Sequence, residues 1–290
     1  MRTARQLVDL LRTKQDNDKS LGQHFLINDE LIARSIEFGS VTKHDHVLEI
    51  GPGPGVLTEA LLATGCTVTA IEIDAGAVEH LNSIFSPELE SQQLTIHRGD
   101  ALQVNWPSDI TKVIANIPYQ ISSPLIELLT RYHRAKWQHL VKVILLVQEE
   151  FAERLVMEYE SDVGSLGMTA LLDWQCDILA KVPPHHFSPN PKVNSCFIEM
   201  VPSNEEFSVD KRLVKQIIHQ AFNQRRKKLR TSLKSTPRRL NRIPNWYSTR
   251  WKVAYANLVD DERMEARPEE LDFDDWVELA VDFAGFREEE

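Results

Sequence analysis

Three cysteines in 290 residues leave little room for cysteine chemistry. Cys66, Cys176 and Cys196 are far apart and show no metal-ligand spacing, so they read as small buried thiols. No stretch approaches the roughly 20 consecutive apolar residues of a membrane span. The start, Met1 to Lys19, is polar and lacks the apolar core of a signal peptide. The ten histidines are scattered, and His44/His46 and His185/His186 read as loop residues rather than metal ligands. There are no internal repeats, and the only biased segment is an acidic tail. These absences point to a cytoplasmic protein, monomeric and without metal or membrane. The hydrophobic fraction of 42% is enough for a core, and the length suits one large domain plus a small one.

The formal charge of −10 argues at first against a nucleic-acid partner, but its distribution along the chain argues the other way. From Asp260 to Glu290 there are 14 acidic residues against Arg263, Arg267 and Arg287, so the rest of the chain is close to neutral. Within that remainder, Arg225 to Arg242 holds nine basic residues and no acid. Local field, more than total charge, attracts phosphates.

Apolar runs alternate with amphipathic segments through the first 200 residues. Strands are expected at 46–51, 67–73, 94–97, 111–116, 140–148, 174–181 and 195–202, with helices at 56–64, 75–84 and 123–132 between them. A short helix should lead at 4–13, and another at 29–38 with Asn28 or Asp29 as its N-cap, after an irregular segment at 22–26. Such alternation implies an α/β fold with a mainly parallel sheet of seven strands, covered on both faces, whose ligands sit at the carboxyl ends of the strands. The sheet pattern stops near Pro202. Beyond it Leu213, Ile217, Ile218 and Ala221 share one helical face, and further helices are expected over the basic run, 251–258 and 273–284. The expected division is therefore 1–203 for the α/β domain and 204–290 for a small helical one.

Two motifs at strand ends carry chemistry. Glu49-Ile50-Gly51-Pro52-Gly53-Pro54-Gly55 joins the first sheet strand to a helix, where glycines let a nucleotide-like ligand approach the backbone. Its two prolines make it stiffer than the usual dinucleotide loop. Glu72, 19 residues after Gly53, ends the next strand, where a carboxylate can accept from both hydroxyls of a ribose. An NAD enzyme would fit these two features almost as well. Asp100, in Gly99-Asp100-Ala101, can accept from a cofactor adenine amino group, or simply cap a turn. The second motif, Asn116-Ile117-Pro118-Tyr119, follows the apolar run Lys112–Ala115. An amide, a proline and an aromatic there can hold a planar, non-basic amine and stack on the ring that carries it, as a methyltransferase acting on a nucleobase amino group requires. The order of glycine turn, ribose acid, adenine acid and this motif resembles methyltransferases using S-adenosylmethionine, not dehydrogenases.

The resemblance becomes specific with Leu21-Gly22-Gln23-His24-Phe25-Leu26 upstream and Phe187-Ser188-Pro189-Asn190-Pro191-Lys192-Val193 downstream. Ala221 to Arg230 (AFNQRRKKLR) and Arg267-Pro268-Glu269-Glu270-Leu271 continue it, from residue 21 to about 284. Together these strings resemble the small-subunit ribosomal RNA adenine N6,N6-dimethyltransferases, the KsgA-type family. The chain departs from the family pattern at His24, where asparagine is frequent, at Ile117, where leucine is commoner, and in a short amino-terminal extension.

The resemblance implies a Rossmann-like S-adenosylmethionine-dependent domain and a helical RNA-binding domain. S-adenosylmethionine would lie across Gly51 and Gly53, with Glu72 at its ribose and Asp100 and Ala101 at its adenine. Gln23, His24 and Leu26 would close over its methionine part. Asn116 would be shared with the target base, whose N6 it and a carbonyl of Ile117 or Pro118 would grip, while Tyr119 and Phe187 sandwich the ring. The basic segment 225–242 would contact RNA phosphates, with Arg225, Arg226, Lys227, Lys228 and Arg230 as its named contacts. The implied partner is small-subunit ribosomal RNA, or a pre-30S-like particle containing it, with a loop adenine as target. An antibiotic-resistance type of large-subunit RNA methyltransferase shares the first domain's motifs, and a non-catalytic ribosome-assembly factor could retain the fold. An NAD oxidoreductase would need hydride-transfer residues that cannot be placed.

Overall fold

The computed structural model describes residues 2–14, 23–135 and 139–286. Leu21, Gly22 and the last four residues of the acidic tail lie outside these. In chain order the strands are β1 (Phe25–Leu26), β2 (His46–Ile50), β3 (Thr67–Glu72), β4 (Leu94–Arg98), β5 (Lys112–Asn116), β6 (Lys142–Gln148), β7 (Trp174–Val182), β8 (Phe187–Ser188) and β9 (Ser195–Pro202). The helices are α1 (Ala4–Arg12), α2 (Asp29–Gly39), α3 (Val56–Ala63), α4 (Ala75–Ile84), α5 (Ser86–Glu90), α6 (Ser122–His133), α7 (Glu149–Val156), α8 (Ser165–Ala170), α9 (Lys211–Phe222), α10 (Leu229–Ser232), α11 (Ser248–Leu258) and α12 (Phe273–Gly285).

Contacts divide the chain into two compact units, Met1–Ala152 with Gln175–Pro202, and Glu153–Trp174 with Ser203–Glu290. The first holds a seven-stranded sheet in the order β4-β3-β2-β5-β6-β9-β7. Strands β2 to β6 pair in parallel, with Glu49 opposite Ala70 and Asn116 opposite Leu146, and β9 runs antiparallel to β6. Val47, Leu48, Val113, Ile114, Leu145 and Leu146 are all at most 1% exposed, as expected of central strands covered on both faces. Helix α2 packs on β5 and β6, α3 on β3, and α4 on β3 and β4. Asn28 is the N-cap of α2, its side chain accepting from the Leu31 N–H at 2.9 Å. At the middle of the sheet β2 is flanked by β3 on one side and β5 on the other. The strand order reverses there, and the crevice above their carboxyl ends is where such folds bind ligands.

The segment at 22–26 is not wholly irregular, because Phe25 and Leu26 form a two-stranded antiparallel ladder with Ser188 and Phe187. That pairing joins residues more than 160 apart, so local sequence carries no sign of it.

The second unit is helical, and it also takes in 153–174, so the boundary expected at 203/204 has to be amended. Met168 and Leu172 belong to its core with Leu213, Ile217 and Ile218 of α9, and the Lys215 ammonium donates to Asp173 at 2.8 Å. Trp251, Trp276 and Phe283 complete that core. The basic run carries less helix than expected. Apart from α10 and a 3-10 turn at Leu240–Arg242 it consists of turns and irregular backbone, with Pro237 and Pro244 bracketing its last part. Among the described residues no helix is long and apolar enough to cross a membrane.

Candidate active site

Four loops that follow neighbouring strands, β4, β3, β2 and β5, enclose a cavity of about 280 Å³ in the first unit. Gln23, His24, Leu26, Gly51, Gly53, Glu72, Asp100, Ala101, Asn116, Pro118 and Tyr119 all line it. Eleven of the twelve residues singled out for cofactor and base thus share one space.

The glycine turn is shaped by backbone conformations that side chains resist. Gly53 has φ +52°, and a Cβ there would fall 2.8 Å from the Phe25 ring. Gly51 has φ +68° with only Pro118 within 4 Å of such a Cβ, which leaves open room above the backbone. Phe25 is in turn backed by Val8 and Leu11 of α1. Its part in holding the turn was not read from the sequence.

Glu72 is 5% exposed and accepts from the Gly53 N–H at 2.9 Å and the Asp74 N–H at 2.8 Å. It therefore ties β3 to the glycine turn. Each carboxylate oxygen retains acceptor capacity. Burial raises its pKa, and those N–H groups oppose the shift. Beside it, Glu49 is 1% exposed, accepts from the Thr58 hydroxyl at 2.6 Å and has its pKa pushed up to about 8, chiefly by burial and further by the Glu72 charge. The sequence reading gave Glu49 no role, although a carboxylate inside an otherwise apolar strand was the available signal. Asp100 accepts from the Leu102 N–H at 2.9 Å and from the Gln103 amide at 2.8 Å, so it caps its own turn while standing on the cavity wall. The Gln23 amide donates to Asp74 at 3.1 Å.

At the base end, the Asn116 Nδ2 donates to the His24 carbonyl at 3.4 Å. The His24 ring joins the other two motifs. Its Nδ1 lies 2.8 Å from the Pro189 carbonyl, which can only accept, so Nδ1 carries the hydrogen. The ring is within 21° of parallel to Tyr119, with centroids 6.1 Å apart. The Tyr119 hydroxyl pairs with Ser195 Oγ at 2.8 Å, and burial raises its pKa against that hydrogen bond. The Pro118 carbonyl accepts from the Ile121 N–H at 3.1 Å.

Phe187 is the exception. It is 1% exposed and is not among the residues that line the cavity, although its ladder partner Leu26 is, so its buried ring does not stand as the expected second wall of a base sandwich. The Phe187 side chain packs in one core cluster with Leu26, and the ring stacked on Tyr119 at the cavity is that of His24.

In the second unit Arg225, Arg226, Lys227, Lys228 and Arg230 are all exposed. Lys228 and Arg230 pair with Glu265 at 2.7 and 2.5 Å, and Arg225 with Glu269 at 3.7 Å.

The family model described as ribosomal RNA adenine dimethylase matches residues 14–272. Ribosomal RNA small subunit methyltransferase A of Bradyrhizobium diazoefficiens is 36% identical over 280 residues, covering 93% of this chain and 92% of that protein. The probable ribosomal RNA small subunit methyltransferase A of Haloarcula marismortui is 36% identical over 228 residues, 77% of this chain and 75% of the other. Among solved structures, a dimethyladenosine transferase from Plasmodium falciparum superposes with a TM-score of 0.73 at 27% identity, over 89% of this chain and 96% of that one. The match spans both units and every strand that contributes to the cavity. This chain belongs to the ribosomal RNA adenine dimethylase family.

Proposed function

We propose that this chain dimethylates N6 of loop adenines in small-subunit ribosomal RNA, using S-adenosylmethionine, on a particle of the pre-30S kind in the cytoplasm. The observation that carries the reading is the single cavity that joins the glycine turn to Asn116 and Tyr119. Its charge also bears on the cofactor. Glu72 and Asp100 line it beside Glu49, whose raised pKa leaves it largely neutral, and among the described residues no lysine or arginine does. Such a wall favours a cationic sulfonium and disfavours the pyrophosphate of a dinucleotide, which weighs against an NAD enzyme.

In this reading Glu72 accepts from the ribose and Asp100 faces the adenine. Bound S-adenosylmethionine supplies an activated methyl group, so the protein contributes mainly positioning, worth about 7–11 kcal/mol in favourable systems. Adenine N6 is a weak nucleophile because its lone pair is delocalised into the ring. With Nδ2 of Asn116 turned to the His24 carbonyl, its Oδ1 is the atom left to accept from an N6–H. The Pro118 carbonyl is already engaged by Ile121, which favours the Ile117 carbonyl as the second acceptor. Two acceptors drawing on the N–H bonds would push the lone pair toward the methyl carbon without a strong base. As the N–C bond forms the S–C bond would break to leave a neutral thioether, and the cationic N6 would lose one proton to water. After one transfer N6 keeps a hydrogen, so a second is possible.

The similarity to small-subunit methyltransferases of Bradyrhizobium diazoefficiens and Haloarcula marismortui favours small-subunit over large-subunit RNA. The test is transfer of labelled methyl from S-adenosylmethionine to unmodified small subunits, compared with large subunits. Label in dimethyladenosine of the small subunit is expected. Label confined to the large subunit would reassign the substrate, and binding without label would make the chain an assembly factor.

A further inference from the structure

The basic run is not electrostatically uniform. No acidic residue lies between Asp210 and Asp260, yet acids from beyond that stretch reach its first part. Glu265 sits between Lys228 and Arg230, and Glu269 beside Arg225, so three of the five cations at 225–230 already have a carboxylate partner. Lys234, Arg238, Arg239 and Arg242 are all exposed and, among the described residues, make no ion pair.

The backbone that carries these four is firmly held. The Trp251 indole N–H donates to the Leu233 carbonyl at 2.9 Å, and the Gln220 amide donates to the Ser232 carbonyl at 3.0 Å and to Ser235 Oγ at 2.8 Å. Leu233, Leu240, Ile243 and Trp246 are buried beneath, so the side chains between them face outward. Successive turn hydrogen bonds, from Leu240 N–H to Pro237, Arg242 to Arg239 and Ile243 to Leu240, fix the spacing. Like charges held together without counter-charges repel one another. A pre-ordered cation surface of this kind suits a polyanion, whose counterions are released on contact.

We propose that Lys234, Arg238, Arg239 and Arg242 form a phosphate-binding surface for the RNA substrate, contributing more to its affinity than the partly neutralised 225–230 segment. This rests on the RNA reading above.

The test compares two neutralised variants of the full chain, Arg238→Gln/Arg239→Gln/Arg242→Gln and Arg225→Gln/Arg226→Gln/Lys228→Gln. Binding to small subunits is measured over a range of salt, with S-adenosylmethionine affinity as the folding control. Each lost phosphate contact lowers the slope of log affinity against log salt by about 0.7–0.9. The first variant should lose about two units of slope and bind at least tenfold more weakly, while the second loses about one unit or less. S-adenosylmethionine affinity should match wild type in both. A slope for the first variant equal to wild type, with wild type still methylating small subunits, would overturn the proposal alone. A wild-type chain that neither binds nor methylates ribosomal RNA would overturn the RNA reading as well.

Discussion

Asn116 and His24, 92 residues apart, are joined by a hydrogen bond from the Asn116 side-chain nitrogen to the His24 main-chain carbonyl. That contact orients the amide so that its oxygen points to the remaining open side. Replacing Asn116 by alanine removes an acceptor that matters most as the N6 lone pair is released. By analogy with deleting one preorganised hydrogen-bonding group, methyl transfer should fall by about 10²-fold or more. Binding to the small subunit, measured separately by filter retention, should survive. Parallel loss of both would assign Asn116 a structural role.

Gly53 offers a test of the cofactor wall. Alanine there would meet Phe25 at 2.8 Å in a backbone conformation that costs L-residues roughly 1–2 kcal/mol. The Phe25 ring must shift, and the Gly53 N–H that Glu72 accepts shifts with it. Calorimetric titration should show S-adenosylmethionine affinity at least tenfold weaker, with a cooperative unfolding transition retained. An unaltered affinity would place the ligand elsewhere in the cavity.

Phe187 separates the two roles open to an aromatic in the FSPNPKV string. As a base-stacking residue it would be dispensable for stability. As a core residue at 1% exposure its replacement by alanine should cost about 3–5 kcal/mol in denaturant unfolding. A variant as stable as wild type but defective in transfer would restore the sandwich.

These cases mark what was legible in the chain. The strands of the sheet and the helices at 56–63, 75–84 and 122–133 follow from period and composition, because each buries its own apolar face. The cavity's glycines, Glu72, Asp100 and Asn116 were legible because each ends or closely follows a strand, and parallel strands bring their carboxyl ends to one edge. What stayed hidden depends on contacts between remote segments. Phe187 packed in one core cluster with Leu26, the ring of His24 met Pro189, and Leu172 joined α9 across about 40 residues. Glu265 met Lys228 in the same way, so charge counting along the sequence overstated how exposed the first half of the basic run is to phosphate.

Glu49 makes stability depend on pH in a definite direction. Its folded pKa of about 8 lies above the ordinary 4.5, so between those values the native state holds a proton that the unfolded chain has released. The resulting stabilisation is complete below about pH 4.5 and is lost as pH rises through about 8. Glu72 is shifted the same way. Unfolding free energy should therefore decline from pH 5.5 to 8.5, with Glu49 contributing a slope of up to about 1.4 kcal/mol per pH unit. Glu49→Gln keeps an acceptor for the Thr58 hydroxyl but has no proton to lose, so its decline should be shallower when both are measured by denaturant unfolding. Identical slopes would mean that Glu49 is already ionised in the native protein at neutral pH, with a counter-charge that its surroundings here do not provide.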